Sequence, residues 1–210
     1  MIRFISKNAL ILAAVALICV AILGIVNQLS QPRIQQQLLL SRLALLQEVL
    51  PERADVKTLL ADCVLITDAE ALGRPTAQAV YRWRDAGQLQ AYVLETTAPD
   101  GYSGNIDLLV AISPQGQVLG TRVLNHQETP GLGDKIESRR SDWIFSFSGK
   151  DATEVNQARW AVKKDGGDFD QFTGATITPR AIVNAVYRTA QFVQQHPELA
   201  SLSANCEARQ

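Results

Sequence analysis

Histidine, methionine and cysteine are scarce in this sequence, and positive charge is not in excess. Its 210 residues hold two His, one Met and three Cys, with 20 basic side chains against 21 acidic ones. A chain without a basic stripe lacks the electrostatic footprint that nucleic acid requires. His126 and Glu128 have the chemistry of two metal ligands, but no third lies nearby and His196 falls in the last helical stretch, so no metal site is expected. Long uncharged apolar runs are also missing beyond residue 26. The exception lies before it: residues 9–26, "ALILAAVALICVAILGIV", carry no charge over 18 positions. As a helix this run spans about 27 Å at ~1.5 Å per residue, enough to cross a bilayer, and it is apolar all round.

The stretch after the run, "NQLSQPRI", offers no convincing small-residue cleavage site, so an uncleaved anchor is expected. Ile18 before Cys19 argues against lipid modification of that cysteine, which needs a small residue there. Arg3 and Lys7 precede the run and no basic residue follows until Arg33, which places the N-terminus in the cytoplasm by the positive-inside rule. The expected division is a cytoplasmic N-terminus (1–8), a transmembrane anchor (9–26), a connecting helix (27–55) and one exported domain (56–210) on the periplasmic side of a bacterial inner membrane. All 21 acidic residues lie beyond the anchor with all but two of the basic ones, so the exported part has a net charge of −3. Cys63 and Cys206 share a compartment that permits a disulfide, and joining them would hold the C-terminal tail to the domain; free thiols are the alternative.

Within the exported part, "PRIQQQLLLSRLALLQEVL" (32–50) reads as a helix with Pro32 in its first turn and Pro51 stopping it. Four strand-like runs follow at 79–84, 89–97, 106–113 and 117–125. The breaks "DAGQ" and "PQGQ" are short and contain glycine, which favours hairpins and an antiparallel meander. A last helix is expected from Thr178 as N-cap and Pro179 at the first position, stopping before Pro197. Ile182, Val183, Val186, Ala190 and Val193 give it one apolar face. The class is α+β: a transmembrane helix followed by one exported domain with an antiparallel sheet packed by helices.

Three segments carry chemistry. "DGGDFDQFTGATITPR" (165–180) brings Thr176 to the start of that last helix, where unpaired N–H groups and the macrodipole stabilise an anion. On local chemistry alone the more ordinary reading is a capping turn with surplus hydroxyls. "HQETPGLGDK" (126–135) places Gly131 and Gly133 around Leu132, which allows a backbone close approach to a ligand, while Pro130 fixes the loop. "DGYSG" (100–104) is a turn whose Tyr102 could stack on a ring or pack. Trp83, Trp143 and Trp160 are read as core residues.

"DGGDFDQFTGATIT" resembles the flavinylation motif of the FMN-binding domain family, and "APDGYSGNIDLLVAI" (98–112) and "HQETPGLGDKIE" (126–137) fit the same family in the same order. Together with the anchor, the whole chain resembles the G-subunit family of Rnf/Rsx-type electron-transport complexes; the C subunit of the sodium-pumping quinone reductase is the related alternative. The resemblance implies covalent FMN, attached through its phosphate to Thr176 by a separate flavin transferase that uses FAD. The cofactor residues assigned with it are Thr173, Gly174 and Ala175 beside Thr176, Glu128 and Thr129 for a flavin edge, Gly131, Leu132, and Lys164 beside Lys163 to neutralise phosphate. Asp165, Gly166 and Asp168 would belong to what the transferase reads, or form a solvated acidic turn. The implied role is electron carriage inside a membrane-bound, ion-translocating oxidoreductase, with no catalytic residue of its own and other subunits as partners. The alternative is an anchored extracytoplasmic binding or scaffold domain without redox activity.

Overall fold

The structure is a computed structural model that describes residues 2–50 and 56–206. It divides into two compact units, residues 1–42 and 43–210. The described residues of the first are all helical: α1 (Ile2–Val49) runs through them and on into residues of the second unit. Within α1, Asn8–Ile34 is a 27-residue stretch of mean hydropathy 3.2, long and apolar enough to cross a membrane. The sequence pattern divides this region into two helices with Pro32 opening the second, but one continuous helix forms, with Pro32 inside it. Between Val26 and Pro32 there is neither Gly nor Pro to stop the helix, so propagation continues. Pro32 removes one N–H and crowds the carbonyl of Gln28, a local cost of ~3 kcal/mol that a helix of 48 residues absorbs. Pro51, the expected stop, lies outside the described residues.

The second unit is built on a five-stranded antiparallel sheet whose spatial order follows the chain: β1 (Cys63–Ile66), β2 (Gln78–Asp85), β3 (Gln88–Gly101), β4 (Gly104–Ile112) and β5 (Val118–Asn125). The expected meander is present with one strand more, β1, and the β3–β4 hairpin runs out to Gly101 and Gly104, leaving Tyr102 and Ser103 as its tip. Between β2 and β3, Ala86 and Gly87 both have positive φ, the geometry of a two-residue hairpin turn.

Strand alternation sends side chains to two different layers. Val80, Tyr92, Leu94, Leu108, Val110 and Ile112 face α4 (Ile177–Gln195), whose Ile182, Val183, Val186, Ala190 and Val193 are all buried against them. Ala79, Tyr81, Ala91, Val93, Leu109 and Ala111 face the other way, onto Leu46, Val49 and Leu50 at the end of α1 and Leu59 of α2 (Val56–Ala61). Because both faces are covered, β3 is buried without interruption from Ala91 to Ala98 and its polar-apolar alternation is lost. A short helix, α3 (Ala69–Leu72), capped by Asp68, lies against α4.

The C-terminal segment closes the β1 edge. Asn205 donates its N–H to Cys63 O (2.9 Å), the Leu65 N–H donates to Asn205 Oδ1 (2.6 Å), and Cys63 and Cys206 form a disulfide across 143 residues. Arg82 and Arg84 hold the preceding turn by its carbonyls, Arg82 to Leu199 (3.0 Å) and Leu202 (2.5 Å), Arg84 to Ala200 (2.5 Å). An edge strand that would otherwise offer free pairing groups is thereby covered.

Candidate functional site

Residues 126–176 contain no regular element longer than a 3-10 turn, and an aromatic cluster holds them in place. Phe147 and Phe169 stack at 4.6 Å, Trp160 meets Phe169 at 5.2 Å, and Trp143 meets Phe172 edge-on at 5.2 Å. Trp143 and Trp160 spend their indole N–H groups on the carbonyls of Asp170 (2.7 Å) and Asp151 (2.9 Å). Tryptophans placed in this way fix loops, as their core reading requires.

Three segments converge on one open pocket of about 290 Å³: the hairpin tip at Tyr102, the loop from Glu128 to Gly133, and the approach to α4 from Gly174 to Thr178. Its central polar group is the buried side chain of Glu128. One carboxylate oxygen accepts the Ser103 N–H (2.9 Å) and the other accepts the hydroxyl of Thr178, so a single side chain ties the three segments together. The Glu128 N–H in turn donates to His126 Nδ1 (3.1 Å), which puts the ring proton on Nε2, where it is given to Glu137 (2.8 Å). Hydrogen bonds from Arg139, and then from His126, hold the Glu137 carboxyl down at about 2.

The loop's glycines have different work. Gly131 has φ +78 and gives its N–H to the buried Asp134 carboxylate (2.8 Å). Gly133 lies so close to Glu128 that a Cβ there would come within 2.9 Å of that side chain and 3.2 Å of the Thr178 hydroxyl. Close approach is therefore required, but to the protein's own carboxylate.

At the helix start the sequence expectation is displaced by two residues. α4 begins at Ile177 with Thr176 as N-cap, and Pro179 occupies the third helical position. Thr178 is fully buried and caps nothing, because its hydroxyl is committed to Glu128. Thr176 has helical φ and ψ, which turn its side chain away from the first-turn N–H groups, and it makes no capping hydrogen bond. Thr176 lines the pocket at the start of α4, where the first-turn N–H groups have no carbonyl one turn earlier to accept them.

Of the residues assigned from the sequence, the pocket gathers Glu128, Thr129, Leu132, Gly174, Ala175 and Thr176. Gly131, Thr173 and Lys164 do not line it. Thr173 is exposed on the turn before Gly174, and Lys164 sits in a separate 3-10 turn whose backbone is tied to Gln171 (3.2 Å). Gly131 acts one step away, through Asp134. Asp165 is engaged by both Nε and Nη2 of Arg180 (2.7 and 3.0 Å), which lowers its pKa, and Asp168 is held by Arg159 (2.9 Å) and Lys150 (3.5 Å). Sequence reasoning missed Ile177 as a wall and Thr178 as the partner of Glu128; no local pattern signals a bond across 50 residues. Tyr102, left open between stacking and packing, is mostly exposed at the pocket mouth.

Residues 101–191 match the FMN-binding domain family, and residues 1–49 match the RnfG N-terminal region. Three curated relatives are each described as the G subunit of an ion-translocating oxidoreductase complex. The one from Shewanella loihica is 48% identical over 208 residues, covering 99% of this chain and 98% of its own. That from Shewanella oneidensis is 48% identical, covering 97% and 96%, and that from Erwinia tasmaniensis is 48% identical, covering 96% of each. With nearly half the residues identical from end to end, this chain belongs to the family formed by the G subunits of ion-translocating oxidoreductase complexes.

Proposed function

We propose that this protein is the electron-carrying flavoprotein subunit of a membrane-bound, ion-translocating oxidoreductase complex, and that it holds FMN through a phosphoester to Thr176. The observation that carries the reading is Thr176, free of any capping duty, among the residues that line the pocket at the positive end of α4. A phosphate ester there is met by the N–H groups of Ile177 and Thr178. Attachment is a transfer reaction: the Thr176 oxygen forms a bond to the flavin-side phosphorus of FAD, the P–O bond bridging the two phosphates breaks, and AMP leaves with the threonine proton. A separate flavin transferase supplies the catalysis.

The pocket fits a tethered group better than a free one. Its volume of about 290 Å³ is at the lower edge of ligand sites, which run from roughly 300 to 1,000 Å³. Leu132 and Ile177, each more than two-fifths exposed, and Tyr102 offer an apolar rim, while Glu128 and Thr129 offer polar edges. FMN, when bound, supplies reversible electron uptake, and a link through its phosphate leaves the ring's electronics to these contacts. A covalent tie keeps the group on an open surface outside the cytoplasm, where a lost flavin is hard to replace.

A periplasmic placement of the domain in a single pass is supported by Arg3 and Lys7 before the span and by the Cys63–Cys206 disulfide, which suits an oxidising side. Electron donor, acceptor and ion pathway then belong to other subunits. The test is coexpression with a flavin transferase: the denatured chain stays fluorescent on a gel, and the flavin mass maps to the peptide 165–180. A colourless chain under those conditions refutes the flavoprotein reading and leaves an anchored scaffold domain.

A further inference from the structure

A second pocket, also of about 290 Å³, lies between α3 and the last turns of α4. Arg188, Gln191, Phe192 and Gln195 form one stripe of α4 along it, at the i, i+3, i+4, i+7 spacing of a helix face, and Asp68 and Glu70 stand on the opposite wall. From Thr176 to Arg188 is 12 residues, about 18 Å of helix at ~1.5 Å per residue, so this site is separate from the attachment pocket.

Arg188 is out of keeping with the other arginines of the domain. Arg74, Arg82, Arg84, Arg122, Arg139, Arg140, Arg159 and Arg180 all pair with a carboxylate. In Arg188 the Nε and Nη2 nitrogens are buried and have no hydrogen-bond partner among the described residues. These are the two atoms with which Arg180 grips Asp165. A guanidinium edge that has lost water and gained nothing in return is costly, and an arriving oxyanion relieves that cost. To receive a partner's oxyanion the edge has to turn toward the pocket by a change of side-chain rotamer, a shift common at interfaces.

We infer that the α3–α4 pocket is a docking site on which Arg188 receives a carboxylate side chain from a neighbouring polypeptide of the complex. A free phosphate or an anionic lipid surface fits poorly, because Asp68 and Glu70 would repel it. A protein segment that brings a carboxylate to Arg188 and a cation or N–H donors to Glu70 satisfies both walls. The inference rests on the complex membership proposed above.

The test uses the full chain with its partner subunits, purified through a tag on this chain. Arg188→Gln and Arg188→Glu are expected to lower the yield of co-purified subunits by about tenfold or more, the size of effect that losing one side of a desolvated interfacial charge pair has. Covalent flavin fluorescence of the denatured chain stays unchanged. A photo-crosslinking residue at Gln195, in an otherwise unaltered chain, is expected to label another subunit. Wild-type recovery of subunits with Arg188→Glu overturns the inference. So does a Gln195 probe that labels no other polypeptide or only a second copy of this chain. It is also overturned if Glu70→Gln and Arg188→Gln lower thermal stability equally while assembly is untouched, because the arginine then serves an internal pair. Loss of flavin from the unaltered chain would instead count against the proposed function.

Discussion

The Thr178 hydroxyl donates a hydrogen bond to the buried carboxylate of Glu128, and this contact joins the first turn of α4 to the loop after β5. Thr178→Val keeps the shape and deletes the donor, leaving a buried charge with the Ser103 N–H as its remaining protein donor. The expected loss is about 1–3 kcal/mol in denaturant unfolding. Glu128→Gln should cost less, because an amide can accept from Ser103 with its oxygen and donate to Thr178 with its nitrogen. A Gln variant as destabilised as the Val variant would show that charge, not hydrogen-bond count, holds the three segments together.

Gly133 and Gly131 separate two reasons for glycine in one loop. Gly133→Ala forces a Cβ to within 2.9 Å of Glu128 and should cost about 1–3 kcal/mol through overpacking. Gly131→Ala meets open space but keeps φ +78, so its penalty is the left-handed backbone alone, about 1–2 kcal/mol. Glu128→Ala removes the carboxylate but keeps the Cβ that also stands 2.9 Å from the added atom, so the double variant Gly133→Ala, Glu128→Ala should recover only part of the Gly133 penalty, and Gly131→Ala should show no such coupling to Glu128→Ala. Denaturant unfolding of these variants reads the difference.

Elements set by local rules are legible in the sequence; those set by distant partners are not. The hairpins at 85–88 and 114–117 follow from short glycine-bearing breaks, and the buried face of α4 follows from its period. β1 has four residues and is a strand because β2 and the C-terminal segment pair with it on either side, which "CVLI" does not reveal. A split of α1 at Pro32 gives too much weight to one breaker set between two strongly helical flanks. Thr178 and Pro179 look like a cap and a first helical residue, yet the bond to Glu128 draws the Thr178 side chain inward and α4 starts earlier. Thr176 lies on the pocket wall, whereas Lys164 and Thr173, grouped with it by closeness in sequence, are carried elsewhere by the turns between them.

The His126–Glu137–Arg139 contacts give a pH dependence whose sign is fixed. Glu137 titrates at about 2 when folded against 4.5 ordinarily, the Arg139 hydrogen bond being the main cause and His126 the next. Its contribution to stability is therefore fully present above 4.5 and is lost as the pH falls through about 2. Arg139 is exposed, so the energetic effect is small and the titration itself is the better readout. Carboxyl NMR should find Glu137 still ionised near pH ~3, and Arg139→Gln should move its midpoint upward. A midpoint near 4.5 in the unaltered protein would contradict the network.

Thr176 carries the last prediction, and its two neighbouring threonines are its controls. Because its hydroxyl caps nothing, Thr176→Val should leave stability within about 0.5 kcal/mol of the original, whereas a capping threonine would cost more. The same change should abolish covalent flavin, since Thr176 is the pocket-lining threonine at the α4 start whose hydroxyl makes no capping hydrogen bond. Thr129 lines the wall from the opposite loop, Thr178 is committed to Glu128, and Thr173 is exposed outside the pocket. Thr173→Val should therefore keep the flavin in full, and Thr178→Val should keep it on whatever fraction remains folded. Fluorescence on a denaturing gel and mass mapping of the peptide 165–180 read the outcome directly. Flavin retained in Thr176→Val, or mapped to Thr173, would move the attachment off the α4 terminus and remove the reason for the uncommitted hydroxyl there.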